Sequence, residues 1–475
     1  MTTAALAGRE DWAKPLDSID VSDPAIYQQD TWQPLFARLR REAAVHYCAE
    51  SRYGPYWSVT RYDDIMTVEL DHATYSSQLG GIQVEDQPAD MKRGSFIRMD
   101  PPRHTAQRKT VAPVAAPTNL ASYELTIRER TRAVLDGLPR NETFDWVDAV
   151  SIELTTMMLA TLFDFPWDER RKLTYWSDVA ICNVSSPDAP VHSEEERFTE
   201  LLRMANVFKG LWRERAKAPP KLDLISMMAH SEGTRDMPEM EFVGNLALLI
   251  VGGNDTTRNS MSGGLLALSE SPGELAKLKA NPALVPSLVA ETIRYQTPVI
   301  HMRRTATRDV ELAGQRIRQG DKVVMWYVSG NRDETAIDNP DAFIVDRAKP
   351  RQHLSYGAGI HRCVGDRSRI SSCESSGRRF SPAISTSKSW DPRNVSIRTL
   401  SAASGSCPRG FGFIEAQRSF IAVLLSGRRD GLYPVCALKA SLARARRGFA
   451  GGEGFFSMKS RLRIPTQRHK RGRRP

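Results

Sequence analysis

The stretch of this 475-residue chain whose residue types best support chemistry is Leu354–Gly365, LSYGAGIHRCVG. It holds one cysteine, Cys363, set among glycines and two residues after His361. A cysteine thiolate is a strong ligand for iron. Glycines let a backbone approach a flat group closely because they carry no side chain. The spacing therefore predicts a metal-ligating thiolate, whereas a lone cysteine is more commonly a buried structural residue.

A second informative segment is the apolar, helical run Glu241–Leu268, which contains the glycine pair Gly252-Gly253 followed by Asn254, Asp255 and Thr256. Adjacent glycines cost a helix roughly 1 kcal/mol each relative to alanine. An acid and a hydroxyl in apolar surroundings are costly unless they have partners or a function. Such an acid–alcohol pair can relay protons. The alternative is a core helix with a polar hinge.

The third segment is Asp100–Thr110, DPPRHTAQRKT, in which two prolines open a helix. His104 and Arg108 are four residues apart and therefore share one helix face. Such donors bind carboxylates. Taken alone, the segment is equally well explained as an exposed basic helix start.

Together these motifs resemble cytochrome P-450 enzymes, whose haem loop has the pattern aromatic-Gly-x-Gly-x-His-x-Cys-x-Gly. Tyr356 stands where that family usually has Phe. The resemblance covers about residues 30 to 367. It implies a mainly α fold with a small β part, the sheet lying near residues 50–60 and 300–330.

The resemblance also assigns roles to individual residues. Cys363 would be the axial ligand of the iron of haem b (iron protoporphyrin IX), and Asp255 and Thr256 would deliver protons. Arg304 is expected to bind a haem propionate in preference to its neighbour Arg303. The haem-binding set is His104, Arg108, Arg304, Tyr356, Gly357, His361 and Cys363. The structural network is Glu291, Arg294 and Arg347, and the substrate-facing residues are Ile82, Leu246, Ile250, Val299 and Ile300.

Within the family, the sequence most resembles the bacterial alkane and fatty-acid terminal hydroxylases. The strings that carry this likeness are GGNDTTRNSMSGG, HMRR, VVMWYVSGNRDE and DNPDAFIVDR. The implied reaction inserts one oxygen atom of O2 into the terminal C–H bond of a medium-chain alkane or related apolar alkyl chain. Electrons would come from NAD(P)H through a ferredoxin reductase and a ferredoxin. Two alternatives stay open: a P-450 hydroxylase of a sterol side chain or terpenoid, and an inactive frameshifted remnant with impaired haem binding.

The net charge of +10 comes entirely from the C-terminal part of the chain. Residues 368–475 contain 22 Lys and Arg against 5 Asp and Glu, whereas the rest contains 44 against 51. Residues 1–367 thus read as an ordinary acidic protein, and no nucleic-acid partner is expected. No early apolar run resembles a signal peptide or membrane span, and the six cysteines show no paired spacing. These features predict a cytoplasmic location.

The family resemblance stops after residue 367. Relatives continue into a long amphipathic helix, whereas residues 367–379 read RSRISSCESSGRR and have no apolar stripe. Starting from the last base of codon 367, with synonymous codons chosen freely, residues 368–383 can be read as LADFQLRVLWQEILAR. Residues 388–408 can follow in the same frame as KVVGSEERVYSNFVRGFRELP, and both strings resemble the family's ending. We therefore expect a cytochrome P-450 haem-thiolate domain over 1–367, C-terminally incomplete, and an out-of-frame, disordered tail without predictable fold over 368–475.

Apolar spacing predicts the remaining elements. Strands are expected over 56–60 and as short hairpins after residue 298, with a binding loop over 75–96. Helices are expected over 32–44, 62–70, 120–138, 150–163, 170–184, 193–217, 222–230, 241–268 and 285–295.

Overall fold

The computed structural model describes residues 14–87, 94–139 and 144–366, together with the backbone of residues 395 and 396. The predicted tail over 368–475 lies outside the described residues apart from that pair. The described part is mainly helical, with one five-stranded sheet, as predicted.

The described chain contains thirteen α-helices. They are α1 (Pro24–Gln28), α2 (Trp32–Glu42), α3 (Tyr62–Leu70), α4 (Arg103–Val111), α5 (Pro117–Asp136), α6 (Glu153–Phe163), α7 (Arg171–Ile181), α8 (Glu194–Arg215), α9 (Leu224–His230), α10 (Glu239–Glu270), α11 (Pro272–Ala280), α12 (Val285–Gln296) and α13 (Tyr327–Gly330). A π-helical turn, Val147–Ile152, precedes α6. The 3-10 turns are Leu16–Ser18, Phe96–Arg98, Ala112–Ala115, Trp167–Glu169, Pro282–Leu284 and Gly359–His361.

The strands make one main sheet and two short pairs. They are β1 (Val45–Cys48), β2 (Tyr56–Val59), β3 (Tyr75–Ser76), β4 (Phe144–Asp145), β5 (Met302–Ala306), β6 (Val310–Leu312), β7 (Gln315–Ile317), β8 (Lys322–Met325) and β9 (Val395–Ser396). The main sheet has the order β1-β2-β8-β5-β3, in which only β2 and β8 are parallel. The sheet therefore joins N-terminal strands to the segment that follows α12. The pairs are β6-β7 and β4-β9.

Helix α10 is the centre of the fold. It packs against α6, α7, α8 and α12, and its residues 242–255 are all buried. Such an all-round apolar helix is typical of the middle of a large core. The glycine pair does not break it, because packing on all sides stabilises a helix beyond its intrinsic propensity. Within the described residues no helix is both long and apolar enough to cross a membrane.

The helical predictions are confirmed, with ends that differ by a few residues. Helix α5 starts at Pro117 rather than 120, because proline is favourable in a first helical turn. The predicted helix over 150–163 is split between the π turn and α6. The predicted binding loop over 75–96 begins as the short strand β3.

Candidate active site

The cysteine loop is a tight turn that closes on itself. The backbone N–H of Cys363 donates to the carbonyl of Tyr356 at 2.8 Å, and Gly357 and Gly359 both have a φ of 60°. A Cβ atom at Gly359 would lie 2.4 Å from the carbonyl oxygen of Glu69. Only glycine therefore allows the loop to rest on the C-terminal end of α3.

Histidines from two elements meet beside this loop. The rings of His104 on α4 and His361 are 4.4 Å apart between centroids, and both residues are at least 96% buried. The His361 Nε2 is 3.0 Å from the hydroxyl of Ser77, and the Arg108 guanidinium donates to the carbonyl of Arg362. The face of α4 predicted from the four-residue spacing thus lies against the cysteine loop.

Arg304 reaches the same region from the sheet. Its guanidinium donates to the buried Glu69 carboxylate at 3.0 Å, and the Tyr327 hydroxyl donates to the other oxygen of that carboxylate. Neighbouring Arg303 points to the opposite face of β5, as alternation in a strand requires, and contacts Asp86. The sheet therefore separates the two arginines between which the sequence analysis had to choose.

The acid–alcohol pair on α10 has specific partners. The Thr256 hydroxyl donates to the carbonyl of Gly252 at 3.1 Å, and Thr256 is partly exposed although residues 242–255 are all buried. The Asp255 carboxylate accepts from Arg258 at 2.6 Å and from Asn259 at 3.2 Å.

Arg258 links this acid to another helix, because it also donates to Asp178 on α7 at 2.9 Å. Burial lowers the pKa of Arg258, but the two carboxylates, Asp255 and Asp178, raise it above its ordinary value. Burial raises the pKa of Asp178 despite Arg258. Sequence reasoning did not identify either residue; the three-residue spacing to Asp255 could have indicated Arg258.

Buried ion pairs fix the segment before the cysteine loop. Glu291 accepts two bonds from Arg294, both at 2.8 Å, and two from Arg347 at 2.9 and 3.1 Å. Arg294 donates in turn to the carbonyls of Asn331, Pro340 and Ala342. The three predicted network residues are therefore in contact.

Asn331, which the sequence analysis did not identify, connects this ion-pair network to the cysteine loop. Its side-chain oxygen accepts from the backbone N–H of Leu354 at 2.7 Å, and its amide donates to Ser355 at 2.8 Å. The loop that carries Cys363 is thus bonded to the same chain segment that Arg294 holds.

Four of the predicted substrate-facing residues, Ile82, Leu246, Ile250 and Val299, are buried in one apolar cluster. The fifth predicted residue, Ile300, is only partly buried. It packs against a second cluster, around Trp326 and Phe36.

The residues around the cysteine loop fit a haem. They supply a thiol, two imidazoles and two guanidinium groups from the loop, α4 and β5, which are donors that suit an iron atom and two carboxylates. Thr256 on α10 supplies an incompletely buried hydroxyl.

Comparison with known proteins agrees with this donor set. The family model described as Cytochrome P450 matches residues 204–368. Linalool 8-monooxygenase from Pseudomonas putida is 36% identical over 359 residues, which cover 73% of this chain and 87% of that protein. The chain belongs to the cytochrome P450 family. A cytochrome P450 is a haem-thiolate monooxygenase.

Other P450 proteins extend the comparison. The structure of Cytochrome P450-153 from Novosphingobium aromaticivorans is 50% identical, with a TM-score of 0.68, and the match covers 73% of this chain and 87% of that one. Methyl-branched lipid omega-hydroxylase from Mycobacterium bovis is 29% identical over 373 residues, 74% of this chain and 86% of that protein.

Proposed function

We propose that this P450 inserts one oxygen atom of O2 into the terminal C–H bond of a medium-chain alkane or fatty-acid-like alkyl chain. The observation that carries the proposal is that four aliphatic residues, Ile82, Leu246, Ile250 and Val299, are buried in one apolar cluster. Leu246 and Ile250 lie one turn apart on α10, and Gly253 and Thr256 follow at three-residue steps along that side of the helix. An apolar wall leading to a hydroxyl suits a chain that enters end-on.

Separate residues of the chain would hold the iron and the propionates of the haem. Cys363 would hold the iron through its thiolate, and His104, Arg108, Arg304 and His361 would hold the propionates, with Tyr356 and Gly357 lining the loop. When bound, the haem supplies the oxygen activation and the C–H chemistry.

Asp255 and Thr256 would deliver the protons that the reaction consumes. The Asp255 carboxylate accepts from Arg258, so it passes a proton on only after taking one up and turning away from that guanidinium. The Thr256 hydroxyl donates a hydrogen bond to the Gly252 carbonyl, so it must rotate before it can donate to another acceptor. Electrons would be supplied by a ferredoxin, reduced from NAD(P)H by its reductase.

Relatives support both the proposal and its alternative. The omega-hydroxylase carries a name that refers to the end of a lipid chain. The relative named linalool 8-monooxygenase favours the second candidate, a P450 that hydroxylates a terpenoid or sterol side chain.

Substrate-binding spectra separate these candidates. Octane, a medium-chain fatty acid, linalool and a sterol would be titrated into the haem-loaded protein, and products would be identified by mass spectrometry. Terminal alcohols from octane or the fatty acid are expected. A tighter complex and oxidation only with linalool or the sterol would overturn the alkyl-chain proposal.

We also propose that residues 368–475 are read out of frame because one base is missing near codon 367. The match to the family model ends at residue 368, which supports a break at this point. The shifted reading LADFQLRVLWQEILAR places apolar residues at three- and four-residue intervals, as an amphipathic helix requires. A helix of this length would extend about 24 Å.

The described residues offer a surface where such a helix would pack. Tyr356 in the cysteine loop belongs to the rim of a small apolar cluster, together with Leu135 on α5, Ala149 in the π turn and Leu265 on α10. These rim residues are only partly buried. A helix that starts just after the loop would begin beside them, so its loss would weaken the support of Cys363.

Reading the genomic DNA across codons 360–370 tests the frame directly, and an intact frame would end the proposal.

The effect of the frameshift on haem binding is tested by comparing haem content and carbon monoxide difference spectra of the chain as written and the frame-corrected chain. A thiolate-type spectrum from the corrected chain alone is expected. This would make the translated chain an inactive remnant, and the proposed reaction would then belong to the frame-corrected protein. Equal spectra would exclude that view.

A further inference from the structure

Two basic residues of the main sheet lie on one face without a carboxylate partner in the sheet register. Arg303 of β5 is opposite Val324, and Thr305 is opposite Lys322 of β8. Arg303 and Lys322 are therefore diagonal neighbours on the same face. Their side chains are 6% and 9% exposed. Buried like charges repel, so something must compensate them.

The compensation comes from a short segment outside the sheet, residues 82–86. The Lys322 amine donates to the carbonyl of Tyr53 at 2.7 Å, to the carbonyl of Val84 at 2.9 Å and to Asp86 at 3.2 Å. An ammonium group has three donors, and here each has an acceptor. Burial and Arg303 lower the pKa of Lys322, and Asp86 opposes that shift.

Arg303 binds the same segment through both its backbone and its side chain. Its backbone N–H donates to the carbonyl of Ile82 at 2.9 Å, and its guanidinium contacts Asp86 and the carbonyl of Gln83. Burial raises the pKa of Asp86, but hydrogen bonds and charge from Arg303 and Lys322 lower it below its ordinary value. Four of the five residues from 82 to 86 are thus bonded to Arg303 or Lys322.

The segment carries two apolar anchors. Ile82 is 3% exposed in the cluster with Val299 and Ile250, and Val84 is 4% exposed in the cluster with Trp326. Fixing the backbone between them fixes the position of Ile82 within the cluster that also contains Leu246 and Ile250 of α10.

We propose that Lys322, with Arg303 and Asp86, is a clamp that positions Ile82 and thereby sets which alkyl chain lengths the site accepts. The inference rests on the proposed function for the ligand class, but the clamp itself is a property of the fold. Lys322 is a positioning residue, since it acts through segment 82–86.

Hydrogen exchange tests the clamp without reference to a substrate. In the full-length protein, Lys322→Met keeps most of the apolar stem but removes all three donors. Exchange of peptides covering residues 81–87 and 299–306 is expected to become about tenfold faster, because a hydrogen bond to a charged group is worth at least that factor. Arg316→Met, which breaks the exposed pair with Asp309 on the β6-β7 hairpin, serves as the control and should leave these peptides unchanged.

Ligand binding tests whether the clamp affects the selection of alkyl chain length. Spectral titrations use the haem-loaded protein, in whichever reading frame yields it, with alkanes and fatty acids of increasing length. Weaker binding and a flatter dependence on length are expected for Lys322→Met, while the thiolate-type carbon monoxide spectrum is retained. Asp86→Asn, at a residue whose side chain is 65% exposed, should show the same changes more weakly and carries the test if Lys322→Met does not fold.

The outcomes are distinct. Unchanged exchange at residues 81–87 in both variants would overturn the clamp. Faster exchange with an unchanged length profile would overturn its role in specificity. Faster exchange in a protein that binds only linalool or a sterol would retain the clamp and reject the alkyl-chain function.

Discussion

The Asp255 carboxylate lies 2.6 Å from the guanidinium of Arg258, one turn further along α10. The same guanidinium contacts Asp178 on α7 at 2.9 Å. The acid expected to move protons is thus held by an ion pair that also ties two packed helices together. Any movement of α7 that draws Asp178 away changes the charge balance around Asp255.

Replacing Arg258 by methionine should destabilise the protein strongly. The change leaves the buried Asp255 without its cation, and breaking such a pair costs about 3–5 kcal/mol. The free energy of unfolding in urea measures the loss. Arg235→Met, which breaks an exposed pair with Asp236, should cost no more than about 1 kcal/mol, and equal losses would contradict the buried role.

Replacing Cys363 by serine should abolish the long-wavelength Soret band of the reduced carbon monoxide complex. The alcohol is a far weaker iron ligand than a thiolate, so the thiolate signature disappears even if haem is retained. The test applies to whichever reading frame yields a haem-loaded protein. Cys182→Ser, at the end of α7, is the matched control and should keep the band; a band that survives Cys363→Ser would reject the assignment.

Local patterns in the sequence predicted much of the site. The glycines around Cys363, the four-residue step from His104 to Arg108 and the three-residue step from Glu291 to Arg294 are all local, and the structure shows the contacts that such spacings allow. Helix α3 matches its predicted range because its apolar positions recur at helical intervals.

Contacts between distant segments were not predictable in this way. Glu69 meets Arg304 across 235 residues, and Lys322 meets Val84 across 238. The parallel pairing of β2 with β8 leaves no trace in either strand alone. The packing of Ile300 against the cluster of Trp326 likewise depends on residues far away in the chain.

Replacing Glu69 by glutamine should speed the loss of haem. The carboxylate fixes the Arg304 guanidinium and accepts from Tyr327, and a neutral amide weakens both contacts. Haem transfer to apomyoglobin should become about tenfold faster, the factor given by a single charge-assisted hydrogen bond. Glu42→Gln, in the exposed pair with Arg38, should leave the rate unchanged; if both variants behave alike, Glu69 does not position Arg304.

Stability should fall at acid pH through Glu291. Burial raises the pKa of this carboxyl, but hydrogen bonds from Arg294 and Arg347 and the Arg294 charge lower it below its ordinary value of 4.5. A carboxyl whose pKa is lower in the folded protein contributes stability above its unfolded pKa, and that contribution is lost as pH falls through the folded value. The thermal midpoint should therefore drop as pH is lowered below about 4.5.

Glu291→Gln should remove this part of the pH dependence and lower the midpoint at neutral pH, since two buried arginines lose their carboxylate. Glu311→Gln, at an exposed position of β6, should keep both the midpoint and its acid slope. An acid slope that persists in full in Glu291→Gln would mean that other carboxyls carry it. Because Arg294 also holds the carbonyl of Asn331, whose side chain bonds Leu354, the same variant should weaken haem retention.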